Sequence, residues 1–310
     1  MTASPIASQA PAPVPADQRH LIALDLDGTV LDHDFVGSTD NGGGSDGGSG
    51  FSSDGHIDPE LAAAIRALHE AGHEVIVSTG RSVDATLPIV ERLRIRPTWI
   101  VAANGAVTLR RDPLAHRAYR REYVEAFDPS DALVRLRTQL VTARFAVELA
   151  DGGFLYTEPI PAGTLPSKQR QVPFEQLLGV QASRVVVVSP DHRLEEFLDA
   201  VRSVGLTHVS YAVGSTAWLD IAPDGVTKAS ALEVLAERLG IDASRFFAAG
   251  DGRNDIAMLK WAGRRGDAVA MGQAVPEVQA AASRVTGTIE ENGLLTALRD
   301  RFPAVLMPRC

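Results

Sequence analysis

The sequence predicts an α/β fold: a doubly wound, Rossmann-like parallel sheet with an α+β domain inserted into it. Short apolar runs alternate with segments of helical periodicity near the N-terminus, and the same alternation returns near the C-terminus. Repeated strand–helix–strand units connect by right-handed crossovers and form parallel sheets with helices on both faces. Between these segments the pattern changes to helices mixed with short strands. We therefore expect a core of residues 20–109 and 224–310 and an inserted domain at residues 110–223.

The individual elements follow from the spacing of apolar residues and from the glycines between them. In the helix predicted at residues 59–70, for example, Leu61, Ile65 and Leu68 lie on one helix face, and Gly72 follows as a stop. The strands predicted for the core comprise residues 20–24, 74–78, 99–102, 246–249 and 267–270. The helices predicted for the core comprise residues 59–70, 83–93, 228–239 and 255–262. In the inserted domain, residues 184–188 and 218–221 have the composition of strands.

Two segments have the composition of flexible chain. Residues 1–19 are rich in Ala, Pro and Ser, a composition that buries too little apolar surface to order itself. Residues 35–54 form a Gly/Ser/Asp-rich stretch that predicts a mobile loop within the core. From the sequence, this loop is either a lid or a tolerated insertion.

Composition and charge exclude several classes of protein. With 30 basic and 39 acidic side chains the net charge is −9, so we expect no nucleic-acid partner. The single cysteine, Cys310, excludes an internal disulfide framework and a cysteine-based zinc site. No apolar run approaches the roughly 20 residues of a membrane helix, and the first 18 residues contain no Lys or Arg. We therefore expect a cytoplasmic protein without a membrane partner; the sequence does not indicate its oligomeric state.

A glycine-rich match at residues 42–47 satisfies the G-x-G-x-x-G pattern of dinucleotide-binding loops. That pattern binds a pyrophosphate only when a strand precedes it and a helix N-terminus follows it. Here it lies inside a longer glycine run with neither neighbour. We therefore reject dinucleotide binding at this segment.

Residues 69–73 satisfy the H-E-x-x-H pattern of zinc hydrolases. Zinc binding requires His69 and His73 to lie one turn apart on a continuous helix. Gly72 falls between them, and a predicted strand begins directly after His73. We interpret the segment as a helix C-terminus rather than a zinc site.

Two carboxylates follow the first predicted strand. Asp25 and Asp27 are spaced i, i+2, and Gly28 permits the chain to turn after them. Ligands of open α/β sheets bind at the carboxyl ends of the strands, so both side chains are candidates for a binding crevice. A plain Asx turn that closes a βα connection explains the same residues.

The second predicted strand ends with Ser78, and Thr79, Gly80 and Arg81 follow it. A hydroxyl, a permissive glycine and a cation beside a helix start are the components of a phosphate site. An N-cap with a solvated arginine is the alternative explanation.

Further candidates lie in the C-terminal half. The segment 250–255, which follows a predicted strand, supplies Asp251, Asn254 and Asp255, and Lys228 opens a predicted helix. A parallel sheet brings these strand ends to one edge, where two carboxylates about 4 Å apart repel by about 4 kcal/mol at an effective dielectric of about 20. A cation must balance them, and oxygen-only ligands without nearby His or Cys indicate Mg²⁺ with a substrate phosphate.

These motifs together resemble those of the haloacid dehalogenase-like (HAD) hydrolases. The motifs that carry the resemblance, in the family's order, are Asp25-Leu26-Asp27-Gly28-Thr29, Thr79-Gly80-Arg81, Lys228 and Gly250-Asp251-Gly252-Arg253-Asn254-Asp255. Ala103-Asn104-Gly105-Ala106 resembles a further signature of the Cof-type subclass IIB, whose cap domain, of type C2, is inserted between the second and third motifs. The resemblance covers about residues 20–300, and it is weakest in the cap.

The resemblance implies a role for each motif residue. Asp25 is expected to be the nucleophile that forms an aspartyl-phosphate, and Asp27 the general acid and base. The phosphate-binding residues implied by the resemblance are Thr79, Gly80, Arg81, Asn104 and Lys228, of which Thr79 and Lys228 also count as catalytic. The implied Mg²⁺ ligands are Asp25, the Asp27 carbonyl and Asp251, with Asn254 and Asp255 in or next to that shell.

The expected activity is that of a Mg²⁺-dependent phosphatase for a small phosphorylated metabolite, in particular a sugar phosphate. Two alternatives stay open: a phosphosugar mutase on the same core and a non-catalytic protein that binds a phosphorylated metabolite. An arginine cluster lies where we expect the inserted domain to begin, and it comprises Arg110, Arg111, Arg117, Arg120 and Arg121. A solvated hairpin is the favoured interpretation of this cluster, over attraction of an anionic substrate.

Overall fold

A computed structural model describes residues 14–32, 55–160, 168–207, 209–213 and 217–307. The Gly/Ser/Asp-rich loop predicted at residues 35–54, most of the predicted N-terminal tail and Cys310 lie outside the described residues. Within them the chain builds two β-sheets, one from the two ends of the sequence and one from its middle. None of the helices in these ranges is long and apolar enough to cross a membrane.

The first sheet contains eight strands of the described chain, of which six are parallel and two lie antiparallel at one edge. In spatial order they are β14 (Arg284–Val285), β13 (Asp267–Ala270), β12 (Phe246–Gly250), β1 (Leu21–Leu24), β2 (Glu74–Ser78), β3 (Trp99–Ala102), β4 (Val107–Arg111) and β5 (Tyr119–Val124). The chain winds outward from β1 to β3 and later returns on the other side of β1. Strand order therefore reverses between β1 and β12, the point where such sheets bind ligands.

Helices cover both faces of this sheet, as the prediction of a doubly wound fold requires. One face packs against α1 (Pro59–Glu70), α2 (Val83–Leu93), α8 (Gly293–Arg301) and α9 (Pro303–Leu306). The other face packs against α5 (Lys228–Leu239), α6 (Ile256–Gly263) and α7 (Pro276–Gln279). Strand residues alternate between the two cores: Ile22 and Leu24 face the first, and Leu21 and Ala23 face the second.

The second sheet confirms that an α+β unit is inserted into the core. Its strands within the described ranges are, in spatial order, β10 (Val209–Val213), β11 (Trp218–Pro223), β9 (Ala182–Val188), β6 (Arg144–Leu149), β7 (Phe154–Tyr156) and β8 (Gln169–Gln171). All neighbours pair antiparallel except β7 and β8. Helices α3 (Ser130–Gln139) and α4 (Leu194–Val204) bury Leu133, Leu136 and Phe197 against one face.

The predicted start of the inserted domain at Arg110 is wrong, because β4 and β5 both belong to the first sheet. The insertion begins after Val124, whereas its predicted end at residue 223 coincides with the last residue of β11. The arginine-rich segment was predicted to belong to the inserted domain, but it forms the antiparallel pair β4–β5 at one end of the first sheet, and its charges pair with one another. Glu122 lies 3.6 Å from the Arg110 guanidinium and 2.7 Å from that of Arg120.

The flexible tail predicted at residues 1–19 includes a segment that has regular structure at its C-terminal end. Residues Ala16–Gln18 form a 3₁₀ helix, and the Val14 amide donates a hydrogen bond of 2.7 Å to the Ala71 carbonyl. The segment that precedes β1 is therefore attached to the end of α1.

Helix α1 ends at Glu70, so His69 lies in the helix and His73 lies beyond it, directly before β2, as predicted from Gly72. The Arg96 amide donates to His69 Nε2 at 3.3 Å, and the His20 amide donates to His73 Nδ1 at 3.2 Å. Burial lowers the pKa of both imidazoles, that of His73 to about 4. One nitrogen of each ring thus accepts a hydrogen bond from a backbone amide.

Candidate active site

The predicted site residues lie at the carboxyl ends of four adjacent parallel strands. Asp25 follows β1, Thr79 follows β2, Asn104 lies just beyond β3, and Asp251 follows β12. These strands neighbour one another in the order β12, β1, β2, β3, so the side chains meet at one edge of the sheet. Lys228 reaches the same edge as the first residue of α5, which Thr227 caps by accepting the Ser230 amide at 3.1 Å.

Lys228 lies at the centre of the cluster and is fully buried. Its Nζ is 2.5 Å from Asp25 Oδ1 and 2.6 Å from Asp255 Oδ1. Burial by itself would lower the pKa of Lys228, but Asp25 and Asp255 outweigh this and raise it above its usual value. The side chain is therefore a buried ammonium with two charge-assisted hydrogen bonds.

Asp255 joins Lys228 to the loop after β12. Its Oδ2 accepts hydrogen bonds from the amides of Asp251, at 3.1 Å, and Gly252, at 2.9 Å, while its Oδ1 accepts from Lys228. Both carboxylate oxygens are thus engaged by the protein. Asp255 fixes the backbone that carries Asp251.

Asp25, Asp251 and Asp255 form an acidic group in which one ligand oxygen from each lies within 4.8 Å of the others. Burial and the charge of Asp255 raise the pKa of Asp251 to about 7 and raise that of Asp25 well above its usual value. A bound cation removes this repulsion, and carboxylate oxygens are the ligands of hard divalent metals. The residues present therefore fit a divalent metal centre.

Gly28 allows the loop after β1 to approach Asp251 closely. Its φ is +76°, and a Cβ atom at this position would lie 2.1 Å from Asp251 Oδ2. Its carbonyl accepts a hydrogen bond of 2.5 Å from Gln273 Nε2. Only glycine satisfies both the backbone conformation and the close approach.

Substitution Gly28→Ala is expected to lower kcat/KM by at least about a hundredfold, because the methyl group must displace the Asp251 carboxylate. Steady-state kinetics at saturating divalent metal measure the effect. Gly240→Ala is the matched control, since Gly240 has φ +61° but no heavy atom within 4 Å of its Cβ position. Similar losses of activity in both variants would show that backbone strain alone explains the effect.

The loop after β2 holds a buried hydroxyl in a fixed orientation. Thr79 Oγ1 accepts a hydrogen bond of 3.1 Å from the Arg81 amide, and the Thr79 carbonyl accepts one of 3.0 Å from the Asn104 amide. Ser78 is also fully buried, and its Oγ has no hydrogen-bond partner within the described part of the chain. The loop therefore holds the Thr79 hydroxyl at the sheet edge, next to the buried Ser78 hydroxyl at the end of β2.

Arg81 and Asp27 form a bidentate pair. Arg81 Nε lies 3.0 and 2.9 Å from the two Asp27 oxygens, and Nη2 lies 2.6 Å from Oδ1. The sequence predicted separate roles for these residues, the arginine in phosphate binding and the aspartate in proton transfer. In the structure the two side chains are paired with each other.

Asn254 contacts Asn104, because its Nδ2 donates a hydrogen bond of 3.0 Å to Asn104 Oδ1. Asn104 adopts φ +54° in the 3₁₀ turn Ala103–Gly105 that follows β3. Next to it, a Cβ atom on Gly105 would lie 2.2 Å from the Thr227 carbonyl oxygen. This turn therefore packs directly against the residue that precedes Lys228.

Two residues at this edge were not identified from the sequence. Gln273 follows β13 and contacts Gly28, and its position after a parallel strand was a usable signal. Arg184 of β9 donates a hydrogen bond to the Gly80 carbonyl across the boundary between the two sheets. A lone charge beside four valines, residues 185–188, marked that position in the sequence.

A cleft of about 450 Å³ separates the inserted domain from the core beside this cluster. The inserted domain, through α4 and β11, and the core both contribute apolar and polar side chains, and those of the inserted domain include Arg202 and Asp220. Lining residues include Leu198, Val201, Ala222, Asn104, Lys228 and Asn254. The cleft can hold a small molecule next to the buried lysine.

Comparison with known proteins identifies the family. A family model described as haloacid dehalogenase-like hydrolase matches residues 22–298. Phosphatase YwpJ of Bacillus subtilis (strain 168) is 29% identical over 312 residues, which cover 88% of this chain and 96% of that protein. From the same organism, 5-amino-6-(5-phospho-D-ribitylamino)uracil phosphatase YitU is 25% identical over 300 residues, covering 91% of this chain and 97% of that protein.

Solved structures agree on the fold. An HAD subclass IIB sugar phosphatase superposes with a TM-score of 0.68 at 20% identity, covering 92% of this chain and 99% of that one. The family match spans both halves of the core and the insertion between them, including every strand end described above. The chain therefore belongs to the haloacid dehalogenase-like hydrolases and is a phosphatase of that family.

Proposed function

We propose that this phosphatase is Mg²⁺-dependent and hydrolyses a small phosphorylated metabolite, in particular a sugar phosphate, through an aspartyl-phosphate on Asp25. The observation that carries the proposal is the buried Lys228 ammonium between Asp25 and Asp255, with Asp251 beside them. A phosphoryl group placed there meets a carboxylate nucleophile, a cation and an acidic metal site at once.

In this mechanism an Asp25 oxygen attacks phosphorus, and the bond between phosphorus and the ester oxygen breaks. Asp27 gives its proton to that oxygen, then takes a proton from the water that attacks phosphorus in the aspartyl-phosphate. The bond between phosphorus and the Asp25 oxygen then breaks, which releases inorganic phosphate and restores the Asp25 carboxylate. Arg81 holds Asp27 as the carboxylate, which is the form that accepts the proton. To act as the acid, Asp27 must leave Arg81 and bind a proton from solvent before it contacts the ester oxygen.

The other residues stabilise the phosphoryl oxygens. An ammonium group has three N–H donors, and Asp25 and Asp255 take two of those on Lys228, which leaves one for a phosphoryl oxygen. The Thr79 hydroxyl and the Gly80 amide supply neutral donors. Asn104 lies close enough to Asn254 to be oriented by it, and Arg81 adds a cation once it leaves Asp27.

Asp25, the Asp27 backbone carbonyl and Asp251 would hold the metal. Asp255 orients Asp251 through the loop amides, and Asn254 acts on Asn104, so we place both beside the metal ligands. An all-oxygen donor set favours Mg²⁺ over Zn²⁺. When bound, the ion neutralises charge on the phosphoryl oxygens and the nucleophile.

Substitution Asp251→Asn is expected to weaken Mg²⁺ binding at least about tenfold, because it removes a charged ligand oxygen. Titration of the substrate-free protein with Mg²⁺ in a calorimeter measures this without reference to turnover. Asp300→Asn, at an exposed position of α8, is the control. Unchanged Mg²⁺ affinity in Asp251→Asn, or its loss in His69→Ala, would contradict the assignment.

The proposal of a sugar phosphate is supported by the resemblance, by the insertion of a domain into the core, and by the names of the compared proteins. One of these is named for a phosphorylated ribityl compound, and a protein of the same fold is called a sugar phosphatase. The test is release of inorganic phosphate from a panel of sugar, polyol, nucleotide and amino-acid phosphates with Mg²⁺. Phosphate that stays in an isomerised product would identify a mutase, and binding without turnover would identify a binding protein.

A further inference from the structure

We propose that Arg184 is a positioning residue that couples the inserted domain to the orientation of the Thr79 hydroxyl; this inference rests on the proposed phosphate-binding role of Thr79. Arg184 lies in β9 of the second sheet, and its Nη1 donates a hydrogen bond to the Gly80 carbonyl. Gly80 lies between Thr79 and Arg81 in the loop after β2. One side chain of the inserted domain thus contacts the backbone of the site.

The Arg184 guanidinium is held in place by its surroundings. The residue is only 4% exposed, its Nε lies 3.4 Å from Glu148 Oε2, and its Nη1 lies 3.3 Å from Asp220 Oδ1. The guanidinium also lies over the Phe154 ring, 5.6 Å from the ring centre. Contacts with two carboxylates and a ring restrict a planar group more than any one of them does.

A second contact crosses the boundary in the opposite direction. Arg121 of β5, in the first sheet, donates to the Ala150 carbonyl at 3.2 Å and lies 3.7 Å from Glu148 Oε1. Glu148 is buried between the two arginines. A continuous path therefore runs from the core through Glu148 and Arg184 of the inserted domain and back to Gly80.

The contact at Gly80 acts on Thr79 through a single peptide group. Because a peptide bond is planar, the direction of the Gly80 carbonyl fixes the opposite direction of the Arg81 N–H. That N–H donates to Thr79 Oγ1 at 3.1 Å. When Arg184 holds the carbonyl, it therefore also holds the donor that orients the Thr79 hydroxyl.

The charges of the cluster argue against a direct role for Arg184 in binding an anionic substrate. Arg184 and Arg121 are balanced by Glu148 and Asp220, so these four residues carry no net charge when ionised. Burial raises the pKa of Glu148 and of Asp220, and Arg184 opposes both shifts. The Arg184 guanidinium thus pairs with Glu148 and Asp220 and donates to the Gly80 carbonyl.

The test compares Arg184→Met with Arg184→Lys, which keeps a cation and a donor. With p-nitrophenyl phosphate we expect Arg184→Met to lower kcat at least about thirtyfold while KM changes less than about threefold, since the hydroxyl is misplaced in the transition state. The kcat of Arg184→Lys should lie within about tenfold of that of the unsubstituted protein. Hydrogen exchange of the peptide that contains residues 79–81 should accelerate in substrate-free Arg184→Met.

Arg135→Met is the control, because Arg135 pairs with Asp131 on the exposed face of α3 and should alter none of these measurements. An increase in KM at constant kcat would identify Arg184 as a substrate ligand and overturn the proposal. Unchanged exchange at residues 79–81 would overturn it as well. If the parent protein released no phosphate, the proposed function would fail, whereas the exchange measurement would still decide whether Arg184 positions the loop.

Discussion

Substitution Asp25→Asn is expected to lower kcat at least a thousandfold, about 4 kcal/mol of transition-state stabilisation. An amide is not a nucleophile towards phosphorus, so the aspartyl-phosphate cannot form. The variant should still fold, because asparagine keeps the oxygen that accepts from Lys228 Nζ at 2.5 Å. The test is phosphate release from the preferred substrate of the panel. Circular dichroism spectra of the same samples show whether the variant is folded.

Asp224→Asn is the control for Asp25→Asn, since Asp224 is an exposed residue of the segment between the inserted domain and α5. It should keep full activity. An Asp25→Asn variant that retained a tenth or more of the parent rate would exclude Asp25 as the nucleophile. A loss of the far-ultraviolet spectrum would instead indicate a role in folding, contrary to our expectation.

Substitution Lys228→Met is expected to lower kcat at least about a hundredfold and the free energy of unfolding by about 3–5 kcal/mol. Methionine fills the volume but leaves Asp25 and Asp255 buried without their shared cation. Kinetics and denaturant unfolding measure the two effects. Lys260→Met, at an exposed position of α6, is the control and should change neither.

The instability of Lys228→Met should depend on pH in a defined direction. Burial already raises the pKa of Asp25 above its unfolded value, and loss of Lys228 removes the main charge that opposes this shift. A carboxyl whose folded pKa lies above its unfolded pKa binds protons more tightly in the folded state. The stability difference from the parent should therefore shrink as pH falls from about 8 to about 5. A constant difference would show that the carboxylates are not the cause.

Much of the core could be predicted because local signals agree with the fold. Helix α1 has the predicted bounds, Pro59–Glu70, since Asp58 caps its first amides and Gly72 follows its end. The strand ends at Asp25, Thr79 and Asp251 were predictable because apolar runs stop there and parallel strands share an edge. Their meeting at one place follows from topology alone.

The features that could not be predicted from the sequence depend on the direction of side chains and on which strands lie at the edge of the first sheet. The pair between Arg81 and Asp27 joins residues 54 positions apart, and the spacing of the motifs does not specify it. Strand β5 is the edge strand of the first sheet, and it and the end of β4 are rich in charged residues, so their composition resembled that of an exposed segment of another domain. The position of Arg184 beside four valines was visible in the sequence, but its role could not be predicted, because that role depends on the partners of the guanidinium.

The most direct test of the central claim is to locate the phosphoryl group on the protein during turnover. The parent enzyme is mixed with substrate labelled in its phosphoryl group, quenched in acid within the first turnover, and digested for peptide mapping. If Asp25 is the nucleophile, the peptide that contains Asp25 carries the label on that residue, and hydroxylamine releases it. Product formation in the same samples with no label on Asp25, or with the label on Asp27 or Asp251, would contradict this assignment.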